Sequence, residues 1–222
     1  MDLVRIAELL CPFLGEDQLT DRQLEQISTY IDLLLRWNAR INLTSVRDPE
    51  EIVTRHFGES LFLARHVTVS GRELRCIDVG SGAGFPGLPI KIYRPQVQLT
   101  LVESQYRKAI FLREVIRALD LRGAEVFAGR AEEMAADSGR SADLVTMRAV
   151  ERFDEVLPVA VRLLGHQDQP GVLALLVGAS GVNLVSWSLP QLRWREPIAV
   201  PQSKNSVLLL GSPTIKREEA PN

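Results

Sequence analysis

The stretch from Leu74 to Gly87, LRCIDVGSGAGFPG, constrains this chain more than any other. An apolar run (Leu74, Cys76, Ile77, Val79) carries Asp78, breaks into Gly80, Gly82, Gly84 and Gly87, and resumes as an amphipathic run. This pattern predicts a buried strand, a glycine turn and a helix start, the form of a nucleotide-type cofactor site. Glycines let the backbone approach a ligand and take positive φ values that other residues resist. Pro86 suits a first helical turn, where a missing N–H has no helical partner.

Two ligand classes fit that loop. Gly82-Ala83-Gly84-Phe85-Pro86-Gly87 satisfies G-x-G-x-x-G and Glu103 ends the next strand, so a nicotinamide dinucleotide is open. Asp78 argues against it. A carboxylate two residues before the first glycine repels a pyrophosphate, which wants an open helix N-terminus. It suits an ammonium or sulfonium centre instead. S-adenosylmethionine (SAM) has both and carries no phosphate. The plainer alternative is that Asp78 caps the turn.

The 222 residues suit one domain with an appendage, and 45% hydrophobic with 24% charged residues is ordinary for a soluble globular chain. With only Cys11 and Cys76, a disulfide framework is not expected and a reducing compartment is. Asp2, Arg5 and Glu8 interrupt the apolar N-terminus, which does not read as a secretory signal, and no run reaches the length of a membrane span. The expected location is the cytoplasm. A net charge of −2 means that any nucleic-acid surface is local.

In chain order, Leu3, Ile6, Leu9 and Leu10 predict a short helix within 1–14. Thr20 and Gln23 form a capping box before a longer helix bearing Leu24, Ile27, Ile31 and Leu34. Asp48-Pro49-Glu50-Glu51 starts another that runs through Phe57 to His66, and Ser70-Gly71 ends this helical preface. Strands are then expected at 74–79, 97–103, 124–127, 143–147, 171–177, 191–199 and 205–210. Helices are expected at 86–94, 106–119, 131–136, 152–164 and 181–187. The alternation predicts a mainly parallel, doubly wound sheet with its last two strands an antiparallel edge pair.

Glu103 ends an apolar strand, where a carboxylate can accept both ribose hydroxyls of an adenosyl ligand. After the third strand, Gly129-Arg130-Ala131-Glu132 offers backbone N–H groups to an adenine edge, or is simply a helix cap. Arg148 ends the fourth strand on the substrate side, unless it serves an ion pair with Glu151 or Asp78. Arg107, Lys108, Arg113, Arg117 and Arg122 make a basic run, which is either a solvated helix face or a phosphate-contacting surface. His56, His66 and His166 have no metal-like spacing, and His56 reads as packed. There is no nucleophile elbow and no P-loop lysine, so no catalytic residue is expected.

Trp37-Asn38 with Ile41-Asn42-Leu43-Thr44, Arg55-His56-Phe57 with Ser60-Leu61, and Asp78 to Gly87 resemble the RsmG (GidB) family. The match continues through Glu103-Ser104, Arg107-Lys108, Gly129 to Glu132 and Arg148-Ala149. The family comprises bacterial SAM-dependent methyltransferases acting at N7 of a guanine in small-subunit ribosomal RNA. The resemblance implies an α/β, Rossmann-like SAM-dependent methyltransferase fold, with a seven-stranded sheet whose last strand is antiparallel. It implies a helical extension over 1–72, a core over 73–215 and a flexible tail over 216–222. Asp78, Gly80, Gly82, Phe85, Glu103, Ala131, Glu132 and Arg148 would serve the cofactor, S-adenosyl-L-methionine. Asn42, Arg107, Lys108, Arg130 and Arg148 would face the RNA or the assembling small subunit. No metal and no membrane partner are expected, and a monomer is the default. One departure stands out: the family's Lys-Gly at the end of the fifth strand reads Val177-Gly178 here.

Overall fold

In the computed structural model the described residues are 1–67, 74–137, 139–150, 153–165 and 170–214. The expected boundary at 72/73, the tail from 216, Ser70-Gly71, Glu151 and His166 lie outside them.

The preface forms as its capping signals dictate. Helix α1 (Leu3–Leu14) buries Ile6, Leu10, Phe13 and Leu14 on one face and ends at Gly15, whose φ is 62°. Helix α2 (Asp21–Asn38) begins with the capping box: the Thr20 hydroxyl accepts the Gln23 N–H while the Gln23 side chain accepts the Thr20 N–H at 2.9 Å. The Gln23 amide also donates to the carbonyls of Ile92 and Tyr93, which fastens α2 to the core. Asp48 caps α3 (Pro49–Glu51), its carboxylate accepting the Glu51 N–H at 2.8 Å. The chain then widens into a π-helical turn over Ile52–Gly58 before tightening into α4 (Glu59–His66). Such wide turns recur at functional sites.

From Arg75 strands and helices alternate: β1 (Arg75–Val79), α5 (Gly87–Tyr93), β2 (Gln98–Val102), α6 (Tyr106–Ala118), β3 (Ala124–Phe127), α7 (Ala131–Ala135) and β4 (Leu144–Arg148). Then come α8 (Phe153–Arg162), β5 (Val172–Gly178), α9 (Val182–Ser188), β6 (Leu192–Trp194), β7 (Ile198–Ala199) and β8 (Ser206–Pro213). The sheet order is β3-β2-β1-β4-β5-β8-β6, with β7 also on β8. The first five strands are mutually parallel, and β8 runs antiparallel to both β5 and β6.

The strand expected at 191–199 is divided into β6 and β7, which lie one after the other along the same edge of β8. Trp194 pairs with Gly211 and Ile198 with Leu208, so four steps on one strand face three on the other. That extra residue is a bulge. It falls at Glu196-Pro197, where proline has no N–H to donate to a ladder.

Two apolar layers cover the sheet. One unites the preface (Phe13, Ile27, Tyr30, Phe57, Leu61) with Leu88, Leu99, Phe111 and Leu112. The other lies under α7, α8 and α9 around Val79, Val145, Leu157 and Leu173. Strand order reverses at β1, with β2 on one side and β4 on the other. A doubly wound sheet offers its ligand crevice at the carboxyl ends of strands flanking such a point.

Candidate functional site

A cavity of about 510 Å³ opens at those carboxyl ends. Its walls come from the glycine loop (Gly80 to Ala83, Phe85), Glu103 after β2, Gly129 to Glu132 after β3, and Arg148 to Val150 after β4. The preface adds Leu43 to Val46, Arg55 and His56.

The glycines answer to two different requirements. A Cβ placed on Gly82 (φ 56°) would meet only the Gly80 carbonyl, at 3.8 Å, so the loop there faces open space beside a ligand-sized void. Gly84 (φ 92°) faces the core, where a Cβ would collide with Leu88 and the Tyr30 hydroxyl. Both need positive φ, which favours glycine.

Phe85 is clamped. It stacks on Tyr30 on one side and on His56 at 4.9 Å between centroids on the other, with the Phe57 ring edge against it. Residues of α2 and of the π-helical turn therefore set the position of the loop's bulkiest side chain.

Glu103 is 5% exposed, and each of its carboxylate oxygens accepts one backbone N–H, from Gly82 at 2.9 Å and Gln105 at 2.6 Å. A carboxylate oxygen has two lone pairs. One on each oxygen is thereby used to fix the group's orientation, which leaves acceptor capacity toward the cavity.

Asp78 corrects the sequence reading. The sequence places it at the ligand's cationic centre, but it is fully buried and does not line the cavity. Its oxygens accept the Thr146 hydroxyl at 2.6 Å and the Gly87 N–H at 3.3 Å. It caps α5 from beneath the loop. Burial pushes its carboxyl up to about 6, the Thr146, Ser81 and Gly87 hydrogen bonds partly opposing that.

Arg148 lines the cavity but pairs with neither Asp78 nor, among the described residues, any acid near it in sequence. Its Nη2 lies 3.0 Å from Glu59 of α4. Its Nη1 is buried without a hydrogen-bond partner among the described residues. His56 Nδ1 is the other buried side-chain nitrogen without one among them. His56 Nε2 meets the Thr44 hydroxyl at 2.7 Å, and that hydroxyl oxygen already accepts the Val46 N–H. Burial, then Arg148 and Arg55, hold the imidazole down to about 3, so it is neutral.

Ala131, Glu132, Arg130 and Lys108 line the cavity with Gly80, Gly82, Phe85, Glu103 and Arg148. Besides Asp78, two expected residues do not. Arg107 is exposed on α6 beyond the wall, because one step along a helix rotates Lys108 inward and Arg107 out. Asn42 is exposed and outside the wall, which Leu43 and Thr44 supply. Their loop is closed by Asn38, whose side chain accepts the N–H groups of Leu43 and Thr44 and donates to the Thr44 carbonyl. Sequence reasoning reads His56 as packing and misses Thr44, Arg55 and Glu59. Thr44 and Arg55 stand in the motifs that carry the resemblance without a role being read from them, and Glu59 has its partner far along the chain.

Among the described residues no helix is long and apolar enough to cross a membrane, and no group of His, Cys, Asp and Glu side chains is placed to hold a metal.

The fold is that of known methyltransferases. A ribosomal protein L11 methylase from Lactobacillus delbrueckii subsp. bulgaricus superposes with a TM-score of 0.58 at 11% identity, covering 72% of this chain and 79% of that one. A predicted O-methyltransferase from Agrobacterium tumefaciens gives 0.57 at 18% identity, covering 71% and 82%. In sequence, proteins called ribosomal RNA small subunit methyltransferase G are much nearer. That of Roseiflexus castenholzii is 48% identical over 60% of this chain and 57% of its own length. That of Staphylococcus carnosus is 40% identical over 67% and 64%. That of Streptococcus pneumoniae serotype 19F is 37% identical over 75% and 74%. The first two matches thus span less than two thirds of the relatives' own length. The model of the GidB family, rRNA small subunit methyltransferase G, matches residues 23–176, and the chain belongs to that family.

Proposed function

We propose that this chain is a SAM-dependent methyltransferase that methylates N7 of an unpaired guanine in small-subunit ribosomal RNA, acting as a monomer in the cytoplasm. Family membership supports the reaction class. The observation that carries the reading is the cavity itself, walled by the glycine loop, Glu103, the turn after β3 and Arg148 at the carboxyl ends of the strands beside the reversal in strand order.

The residues fit the cofactor. Glu103 has acceptor capacity for ribose hydroxyls, Ala131 and Glu132 would hold the adenine side, and the open face of Gly82 would admit close approach. SAM supplies a methyl group activated by its sulfonium charge. Guanine N7 already has a lone pair, so the protein needs no general base. Its contribution is to hold the base in line, an effect worth up to about 7–11 kcal/mol. N7 lies in the deep, narrow groove of A-form RNA, so the target must be splayed out of any helix. Lys108, Arg130 and Arg55 line the opening as candidate contacts for its phosphates.

The test is transfer from labelled SAM to unmodified small-subunit RNA, naked and in particles, with the labelled base mapped. Label at N7 of a single loop guanine is expected. SAM binding without label on RNA would sink the assignment in favour of another acceptor or a binding-only role.

A further inference from the structure

The contact between Glu59 and Arg148 joins two residues 89 positions apart (148 minus 59) and belongs to no motif in the sequence. Arg148 closes β4 at the cavity wall, and Glu59 opens α4 in the preface. Nη2 and Oε2 are 3.0 Å apart, with side chains 12% and 7% exposed. The other carboxylate oxygen accepts the Ser206 hydroxyl at 3.3 Å, at the start of β8. One acid therefore ties the preface, β4 and β8 together.

Stability alone is a poor account of this pair. Desolvating two charges offsets most of their attraction, and apolar replacements are often as stable. Glu59 engages Nη2 of Arg148, while Nη1 is buried at the cavity wall without a partner among the described residues. A guanidinium does not discharge by losing its proton. The site accordingly contains a permanent, weakly screened cation. The other cations on the wall, Arg55, Lys108 and Arg130, are half-buried or exposed and better screened by water.

Taken alone, Arg148 would oppose the reaction. A sulfonium entering the cavity is positive, and a guanine ring gains positive charge when N7 is methylated. We infer that Glu59 is a positioning residue of this site. It fixes the Arg148 guanidinium at the cavity wall and balances its charge, so that a cationic methyl donor can bind beside it. This inference rests on the reading of the cavity as a sulfonium site.

The experiment compares SAM with S-adenosylhomocysteine, which lacks the methyl and has a neutral sulfur. Calorimetric affinities of both are measured for the full chain and for Glu59→Gln, with thermal unfolding followed in parallel. Glutamine keeps an acceptor for Nη2 and removes the charge. SAM is expected to weaken about tenfold while S-adenosylhomocysteine changes by less than about twofold, the order of an unbalanced unit charge at short range. Glu59→Asp should restore the ratio. Where Glu59→Gln does not fold, the double variant Glu59→Gln/Arg148→Met removes both charges together and should show the wild-type ratio. Equal weakening of the two ligands, no change in either, or an altered ratio in the double variant overturns the inference. Wild-type protein that binds neither ligand overturns the sulfonium reading itself, which distinguishes the two failures.

Discussion

Phe85 lies flat against Tyr30, with ring centroids 5.3 Å apart and planes within 2° of parallel, and the Tyr30 hydroxyl donates to the carbonyl of Ala83 in the same loop. The preface thus holds the glycine loop from below by both a ring face and a hydrogen bond. Removing the hydroxyl in Tyr30→Phe leaves a buried carbonyl short of a donor and should cost about 1–2 kcal/mol. Tyr30→Ala also leaves a cavity in the core, for about 3–5 kcal/mol. Denaturant unfolding measures both. SAM affinity should fall in each variant even at temperatures where the chain stays folded.

Gly80 (φ 68°) and Gly84 should fail in different ways. A Cβ at Gly80 comes within 3.0 Å of both Val150 methyl carbons at the cavity wall. Gly80→Asp is expected to unfold cooperatively yet bind no SAM. Gly84→Ala drives its methyl into Leu88 and Tyr30 and should lose the fold. Calorimetric binding read beside a melting curve separates them, and normal SAM affinity in Gly80→Asp would contradict the assigned site.

Two buried groups give acid sensitivity of opposite sign. His56 is depressed from 6.5 to about 3, so its contribution is complete above pH 6.5 and is lost as pH falls toward 3. Asp78 is raised from 3.8 to about 6, so its burial penalty is complete above pH 6 and relieved as pH falls to 3.8. Each acts with a slope of up to about 1.4 kcal/mol per pH unit. From pH 7 to 4 the two slopes oppose each other in the wild type, so stability should rise in His56→Phe and fall more steeply in Asp78→Asn.

Arg107 and Lys108 are adjacent in sequence but separated by the cavity wall. Arg107→Glu should weaken RNA binding and lower its salt dependence by about one unit of slope, with SAM affinity unchanged. Lys108→Glu should change both. An Arg107→Glu variant with unaltered RNA affinity would remove the outer face of α6 from the RNA surface.

Much of this arrangement can be read locally. The Thr20–Gln23 box, the Asp48 cap and the Gly80 to Gly84 turn are determined by neighbours a few residues away, and each occurs where expected. The surroundings of Asp78 and Arg148 depend on distance. Asp78 reads as a ligand contact because its environment, Thr146 and the helix N-terminus at Gly87, is assembled only when β4 and α5 pack on β1. Arg148 has acids nearby in sequence, whereas its partner is Glu59 in the preface. The π-helical turn at Ile52–Gly58 has no signal of its own either, and His56 reaches Thr44 and Phe85 from within it.

The position of β8 constrains how the molecule is made. Strand β6 precedes β8 in the chain but pairs with it alone, and β5 has its second neighbour only when β8 inserts between them. A nascent chain that has emerged as far as Trp194 therefore has β6 without a ladder and β5 with a bare edge. The hydroxyl of Ser206 that meets Glu59 is missing at the same stage. The last of these strands to leave the ribosome completes both the sheet and the setting of Arg148, so a translation product stopped short of Ser206 would present an open, self-associating edge in place of a working cavity.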